Sequence, residues 1–220
     1  MDIFDILGPV MVGPSSSHTA GAVRIGNVAF HLLGEAVARA DITLHGSFAS
    51  TGRGHGTDRA LLAGLMGMKP DDPRIPNAFE EAKKRGLAYR FTSDDLGEVH
   101  PNTARLALTG KSGGTLEMEA CSVGGGRIRV RQVHGLAVDF GGERPTLVLP
   151  HYDRPGAVAK VSDQLACAGI NIAAMQVFRG RRGGLAIMVI ETDQAVPEEV
   201  RARLTSVCGV ESVTYLEESE

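Results

Sequence analysis

Two histidines stand out by the residues around them. Gly13-Pro14-Ser15-Ser16-Ser17-His18-Thr19 gathers three serine hydroxyls, a threonine hydroxyl and an imidazole just ahead of an apolar-periodic segment. The start of a helix presents unpaired backbone N–H groups and the positive end of the dipole, so it favours a carboxylate or phosphate. A helix cap needs only one hydroxyl. The full Ser-Ser-Ser-His-Thr run therefore points to an anion cradle with a titratable group inside it.

His55 lies between Gly54 and Gly56, where a backbone without side chains lets a ligand approach closely. Alone, it reads rather as an exposed histidine in a tight turn. Beside a second Ser/His segment, a proton-transfer role becomes the better expectation. His100-Pro101-Asn102-Thr103 reads as a turn or a site. Cys121-Ser122-Val123-Gly124-Gly125-Gly126 reads as a turn between strands rather than an anion nest. Farther on, Asp153-Arg154-Pro155-Gly156 opens a helix and Asn171-Ile172 opens a strand. Both are good capping chemistry, and together they suggest a ligand pocket at a subunit interface, with the two segments close in space.

The elements that must position these residues follow from periodicity. Ile25, Ala29, Leu32 and Ala36 recur at helical spacing, predicting a helix that ends near Ala40. Ile42, Leu44, Gly46 and Phe48 alternate with polar residues and predict a half-buried strand. The glycine-rich stretch Ser50–Asp58 then predicts a loop, with Thr57 or Asp58 capping a helix through Leu61, Leu62 and Leu65. A short helix from Asn77 to Gly86, a strand at Tyr89–Thr92 and three antiparallel strands joined by Lys111–Gly114 and Gly124–Gly126 complete the first part. From Thr146 the order is strand, helix, strand, strand, helix, strand, a βαββαβ unit with both helices on one face of an antiparallel sheet. The expected division is an N-terminal mixed-sheet α/β domain over 1–143 and a ferredoxin-like βαββαβ domain over 144–220, an α+β chain overall.

Composition excludes some classes of function. A net charge of −3 and 43% hydrophobic residues provide a core but no concentrated basic face for nucleic acid or acidic lipid. Arg127, Arg129 and Arg131, and Arg179, Arg181 and Arg182, carry no interleaved aromatics for stacking on bases. The acidic start Met1–Ile6 lacks a signal-peptide pattern, and the longest apolar run, Leu185–Ile190, is too short to span a bilayer. A cytoplasmic protein is expected. The three cysteines are widely spaced with no C-x-x-C pair, so each reads as a free thiol and no metal site is expected on this chain.

Together, Gly8–Gly21, Gly46–Ala49, Gly54-His55-Gly56-Thr57-Asp58, His100–Arg105 and Cys121–Gly126 closely resemble the β subunit of two-chain iron–sulfur L-serine dehydratases, and the last segment resembles an ACT domain. The resemblance implies an L-serine ammonia-lyase whose partner α subunit holds a [4Fe–4S] cluster by three cysteines, leaving one iron open. It implies His55 as base or proton relay, His18 as orienting or acid/base group, His100 in support, and Ser15, Ser16, Ser17 and Thr19, with Gly54 and Gly56, at the substrate. In the ACT domain it implies effector contacts at Asp153, Pro155, Gly156, Asn171 and Ile172, with β–β pairing through that domain. Many relatives read Thr-Val-Gly-Pro after the first histidine, whereas this chain has Thr19-Ala20-Gly21-Ala22; a changed helix entry is expected. The first domain also resembles the allosteric domain of some phosphoglycerate dehydrogenases, so a non-catalytic serine sensor is the competing expectation.

Overall fold

The computed structural model describes residues 10–218. The acidic start, Gly8 and Pro9 of the first motif, and the last two residues of the acidic tail lie outside them. The chain forms two compact units, up to Gly135 and from Leu136 onward.

The strands of the first unit lie in the order β2-β1-β3-β4-β5, built from β1 (Val37–Leu44), β2 (Ala88–Ser93), β3 (Thr103–Gly110), β4 (Thr115–Gly124) and β5 (Arg127–Val133), and β6 (Leu136–Phe140) opens the second unit. β1 and β2 are parallel, while β1–β3, β3–β4 and β4–β5 are antiparallel, so the sheet is mixed as expected. Alternation dictates which residues face inward: Ala104, Leu106 and Leu108 on β3 and Leu116, Met118 and Ala120 on β4 are buried.

Helix α1 (Gly21–Leu33) lies on this sheet and packs against α3 (Thr57–Leu65). The α1–α3 crossing is unusually close because glycines meet there. A Cβ on Gly26 would stand 2.3 Å from the Leu61 carbonyl oxygen, and one on Gly64 would stand 2.1 Å from that of Val23. Around this crossing Val23, Ile25, Leu61 and Leu62 are fully buried, each contributing about 1.5–3 kcal/mol through removal of apolar surface from water.

Three expectations are corrected. The first strand is Val37–Leu44, starting before Ala40, because Gly34 takes the left-handed conformation (φ 73°) and ends α1. The stretch expected as the end of a strand and a glycine loop is instead helix α2 (Gly46–His55), closed by Gly56 at φ 71°. Phe48, expected in the strand, is a fully buried residue of this helix. Thr57 and Asp58 make no capping bond to α3, whose N-cap is Gly56. Three glycines make α2 a poor helix by intrinsic preference. Tertiary contacts hold it: the N–H groups of Ser47 and Phe48 donate to the Pro101 carbonyl, and Phe48 enters the core. Helix α4 (Ala78–Arg85) ends at Gly86 as the sequence predicts.

The second unit contains β7 (Thr146–Tyr152), α5 (Ala157–Cys167), β8 (Ile172–Arg179), β9 (Leu185–Thr192), α6 (Glu198–Thr205) and β10 (Thr214–Leu216), with sheet order β10-β7-β9-β8. All its pairings are antiparallel. This is the expected βαββαβ unit, its core made by Leu147, Leu149, Met188 and Ile190 against Val161, Leu165, Val200 and Leu204.

Candidate functional site

The run before α1 is not a loop. Ser16–Ala20 forms one π-helical turn, with the Gly21 N–H donating to the Ser16 carbonyl, and then passes directly into α1. Such turns recur at functional sites because the extra residue displaces side chains from the α-helical register. Ser15 caps the turn: its hydroxyl accepts the His18 N–H at 3.1 Å and lies 3.5 Å from His18 Nδ1. Gly13, at φ 149°, allows a close approach, since a Cβ there would stand 2.5 Å from the Thr19 side chain.

Helix α2 closes over the other edge of His18. Nε2 lies 3.1 Å from Ser47 Oγ and 3.0 Å from Thr51 Oγ1. Ser47 and Thr51 are one helical turn apart and so share a face of α2. The Thr51 hydroxyl donates to the Ser47 carbonyl at 2.8 Å. With that proton engaged, His18 carries its own proton on Nε2 and turns the Nδ1 lone pair toward Ser15, an assignment made from the hydrogen-bond network.

The His18 ring meets the His55 ring edge-on, with centroids 5.0 Å apart, and the buried Phe48 ring at 5.3 Å. Burial holds the His18 pKa below 6.5, and the nearby His55 adds to this, against a smaller opposing effect of the Ser47 backbone. His18 is therefore a neutral imidazole at pH 7. The Thr19 hydroxyl donates to the His55 carbonyl at 3.2 Å, tying the end of α2 to the π-turn. His18 and His55 thus come together from segments 37 residues apart in sequence.

The other predicted residues fall as follows. Ser16 and Ser17 are half-buried in the same π-turn, whereas Thr19 is buried and engaged by His55. Gly54 is exposed with open space where a Cβ would stand, and Gly56 supplies the left-handed cap of α2. His100 is exposed, and its ring nitrogen accepts the Asn102 N–H at 3.1 Å. The Pro101 carbonyl beside it anchors the first turn of α2. Ser47, part of the Gly46–Ala49 motif, and Thr51 complete the surroundings of His18, and the sequence alone gives neither a role. Their four-residue spacing is a signal only once the segment is known to be helical.

In the second unit, Asp153 accepts from Arg179 Nη1 at 2.8 Å and from the Gly183 N–H at 3.1 Å. It thereby fixes the β8–β9 turn, and these donors hold its carboxyl below 3.8, the Gly183 N–H having the larger effect. Pro155 is exposed, Gly156 precedes α5 at φ 88°, the Asn171 side-chain amide donates to Asp193, and Ile172 begins β8. The expectation that the Asp153 and Asn171 segments are close together is corrected. β7 and β8 both pair antiparallel with β9 and so run the same way, which puts Asp153, at the end of one, and Asn171, at the start of the other, at opposite ends of the sheet.

The architecture, a mixed-sheet α/β unit followed by a βαββαβ unit, is matched by two family models. One, described as serine dehydratase beta chain, covers residues 1–88, and the other, the ACT domain, covers residues 147–209. The chain is 40% identical over 214 residues to the "Probable L-serine dehydratase, beta chain" of Bacillus subtilis, covering 97% of both chains. It is 37% identical over 215 residues to the L-serine dehydratase beta chain of Peptoniphilus asaccharolyticus, again covering 97% of both. A D-3-phosphoglycerate dehydrogenase of Methanocaldococcus jannaschii is 29% identical over 89% of this chain and 37% of its own length. The chain belongs to the L-serine dehydratase beta-chain family and carries an ACT domain. No helix among the described residues is long and apolar enough to cross a membrane.

Proposed function

We propose that this chain is the β subunit of an L-serine ammonia-lyase, converting L-serine to pyruvate and ammonia with a [4Fe–4S] cluster carried by a partner α subunit. The observation that carries the reading is the His18–His55 pair, buttressed by Ser15, Ser47 and Thr51. The residues present do not fit a cluster site of their own: Cys121 is buried in β4, Cys167 and Cys208 are exposed, and no group of three or more His, Cys, Asp or Glu among the described residues could hold a metal. In this reading the cluster ligands belong to the partner.

The chemistry needs a base near neutrality, because the α-proton of an amino acid is barely acidic in water. His55 ends α2, exposed, with its ring against a neutral His18. Of the two rings His55 is the exposed one, and in this reading it is the group that takes the α-proton. His18 keeps its neutral form and holds its orientation through the Ser47 and Thr51 hydroxyls. Ser16 and Ser17 contact the substrate carboxylate while Ser15 steadies His18, Gly54 and Gly56 leave room for the approach, and His100 lends support from its loop. Thr19 acts as a positioning residue through the His55 carbonyl. Loss of the α-proton and of the β-hydroxyl as water gives aminoacrylate, which tautomerises to the imine and hydrolyses to pyruvate and ammonia.

Asp153, Pro155, Gly156, Asn171 and Ile172 take an effector in this reading. Because Asp153 and Asn171 lie at opposite ends of one sheet, a single pocket using both joins two ACT domains, which accords with β–β pairing. The protein works in the cytoplasm.

The test is to mix the purified chain anaerobically with an iron-loaded α partner and measure pyruvate from L-serine. Neither chain alone should produce it and the mixture should. The similarity to phosphoglycerate dehydrogenase over most of the chain favours a second reading, a serine-sensing module without catalysis. Serine binding by this chain, with pyruvate formation unchanged by its addition to the partner, would establish the sensor instead.

A further inference from the structure

A cavity of about 370 Å³ lies on the face of α2 turned away from the Ser47–Thr51 contacts, and neither His18 nor His55 lines it. Its floor is the carboxyl end of the parallel pair, since Leu44 and Ser93 are the last residues of β1 and β2. Open α/β sheets bind ligands outside the carboxyl ends of parallel strands, and the volume falls within the range of small-molecule sites. The lining is rich in aromatic rings. Phe79 and Tyr89 stack with centroids 5.7 Å apart, and Tyr89 meets Phe91 edge-on at 6.0 Å.

The single carboxylate in the lining is Asp58, in the first turn of α3. One of its oxygens accepts the Arg59 N–H at 2.8 Å, while the Arg59 guanidinium is directed to the Phe79 ring, 5.8 Å from its centroid. The aromatic cluster therefore already attracts a cation on one ring. A cavity lined by aromatic side chains and one carboxylate suits a positive head group on an apolar body better than it suits an anion.

We propose that this cavity binds a small organic ammonium joined to an apolar or aromatic body, and that occupancy is transmitted to His18 through Phe48. Phe48 lines the cavity and also presses its ring against that of His18, 5.3 Å away. Ala49 and Gly52, on the same helix that aims Ser47 and Thr51 at His18, line the cavity as well. An occupant thus bears directly on the helix that orients the imidazole.

Phenethylammonium is the probe and phenylacetate its anionic counterpart, each titrated into the full-length chain by calorimetry and by NMR of the histidine C2–H resonances. Phenethylammonium should bind saturably, phenylacetate should not, and Asp58→Asn should weaken the cation about tenfold by removing a charge-assisted contact. The conservative Asp58→Glu variant should recover much of that loss. Equal binding of both probes, or unchanged affinity in Asp58→Asn with Tyr89→Ala also unaffected, overturns the site. Binding that leaves the His18 resonance unmoved overturns the transmission through Phe48. Neither readout involves turnover, so their outcome is distinct from that of the reconstitution.

Discussion

Adding one methyl group at Gly64 and one at Gly54 should have opposite effects on stability, although both glycines are helical. At Gly64 the new Cβ would stand 2.1 Å from the Val23 oxygen, 2.7 Å from the Asn27 nitrogen and 2.9 Å from the Gly26 carbonyl carbon, all backbone atoms of α1. Ordinary contact begins near 3.4 Å, so α1 and α3 must separate by more than 1 Å. Backbone cannot rotate away as a side chain can. Overpacking of this kind costs about 1–3 kcal/mol, occasionally more, against a gain of at most about 1 kcal/mol from replacing glycine in a helix. Gly64→Ala should therefore lose roughly 1–3 kcal/mol. At Gly54 a Cβ meets nothing within 4 Å, and Gly54→Ala should gain about 0.5–1 kcal/mol. Urea unfolding followed by far-ultraviolet circular dichroism measures both against the unsubstituted chain. A Gly64→Ala protein as stable as the parent would refute the close crossing, and a destabilised Gly54→Ala would refute the account of α2. If the bare backbone at Gly54 serves substrate approach, the stabilised variant should nonetheless lose activity in the reconstituted enzyme.

Three further outcomes follow from the same geometry. His18 should titrate below 6.5 by NMR, and His55→Ala should move it upward while leaving it below 6.5, because burial, the larger cause, remains; an unchanged His18 titration would mean the two rings do not interact. A His18 pKa depressed on folding means that the unfolded chain binds more protons between the folded pKa and 6.5, so stability is lost as pH falls from 6.5 through the folded value. His18→Gln should flatten that acid dependence in denaturation midpoints. Asp153→Asn should weaken the grip on the Gly183 N–H and speed its amide exchange; since the Asp153 carboxyl is held below 3.8, its stabilising contribution in the parent is present above 3.8 and is lost as pH falls below it.

The sequence was most informative where patterns were local. Alternation over Leu116–Ala120 and Ile128–Val130, with glycines between, marks hairpins, and the Thr146–Leu216 order marks the βαββαβ unit because each element there carries its own turn chemistry. Helix α2 was illegible for a physical reason. Gly46, Gly52 and Gly54, with Ser47, Ser50 and Thr51, are weak helix formers, and what holds them helical is the Pro101 carbonyl and the burial of Phe48, both tertiary. The shared face of Ser47 and Thr51 is hidden with it. The sequence leads one to expect the His18 and His55 segments to meet, but not by which contacts: these depend on the close α1–α3 crossing and on the Thr19 tie to the His55 carbonyl. β6 lies outside the three predicted antiparallel strands, although Leu136, Val138 and Phe140 alternate as a strand should.

The proton-transfer role proposed for the histidine pair is tested most directly by His55→Ala in the anaerobically reconstituted two-chain enzyme. Because positioned general acid–base groups contribute about 10²–10⁴-fold, pyruvate formation from L-serine should fall by at least about a hundredfold while the variant still associates with its partner. Turnover within a few-fold of the parent, with association intact, would contradict the account.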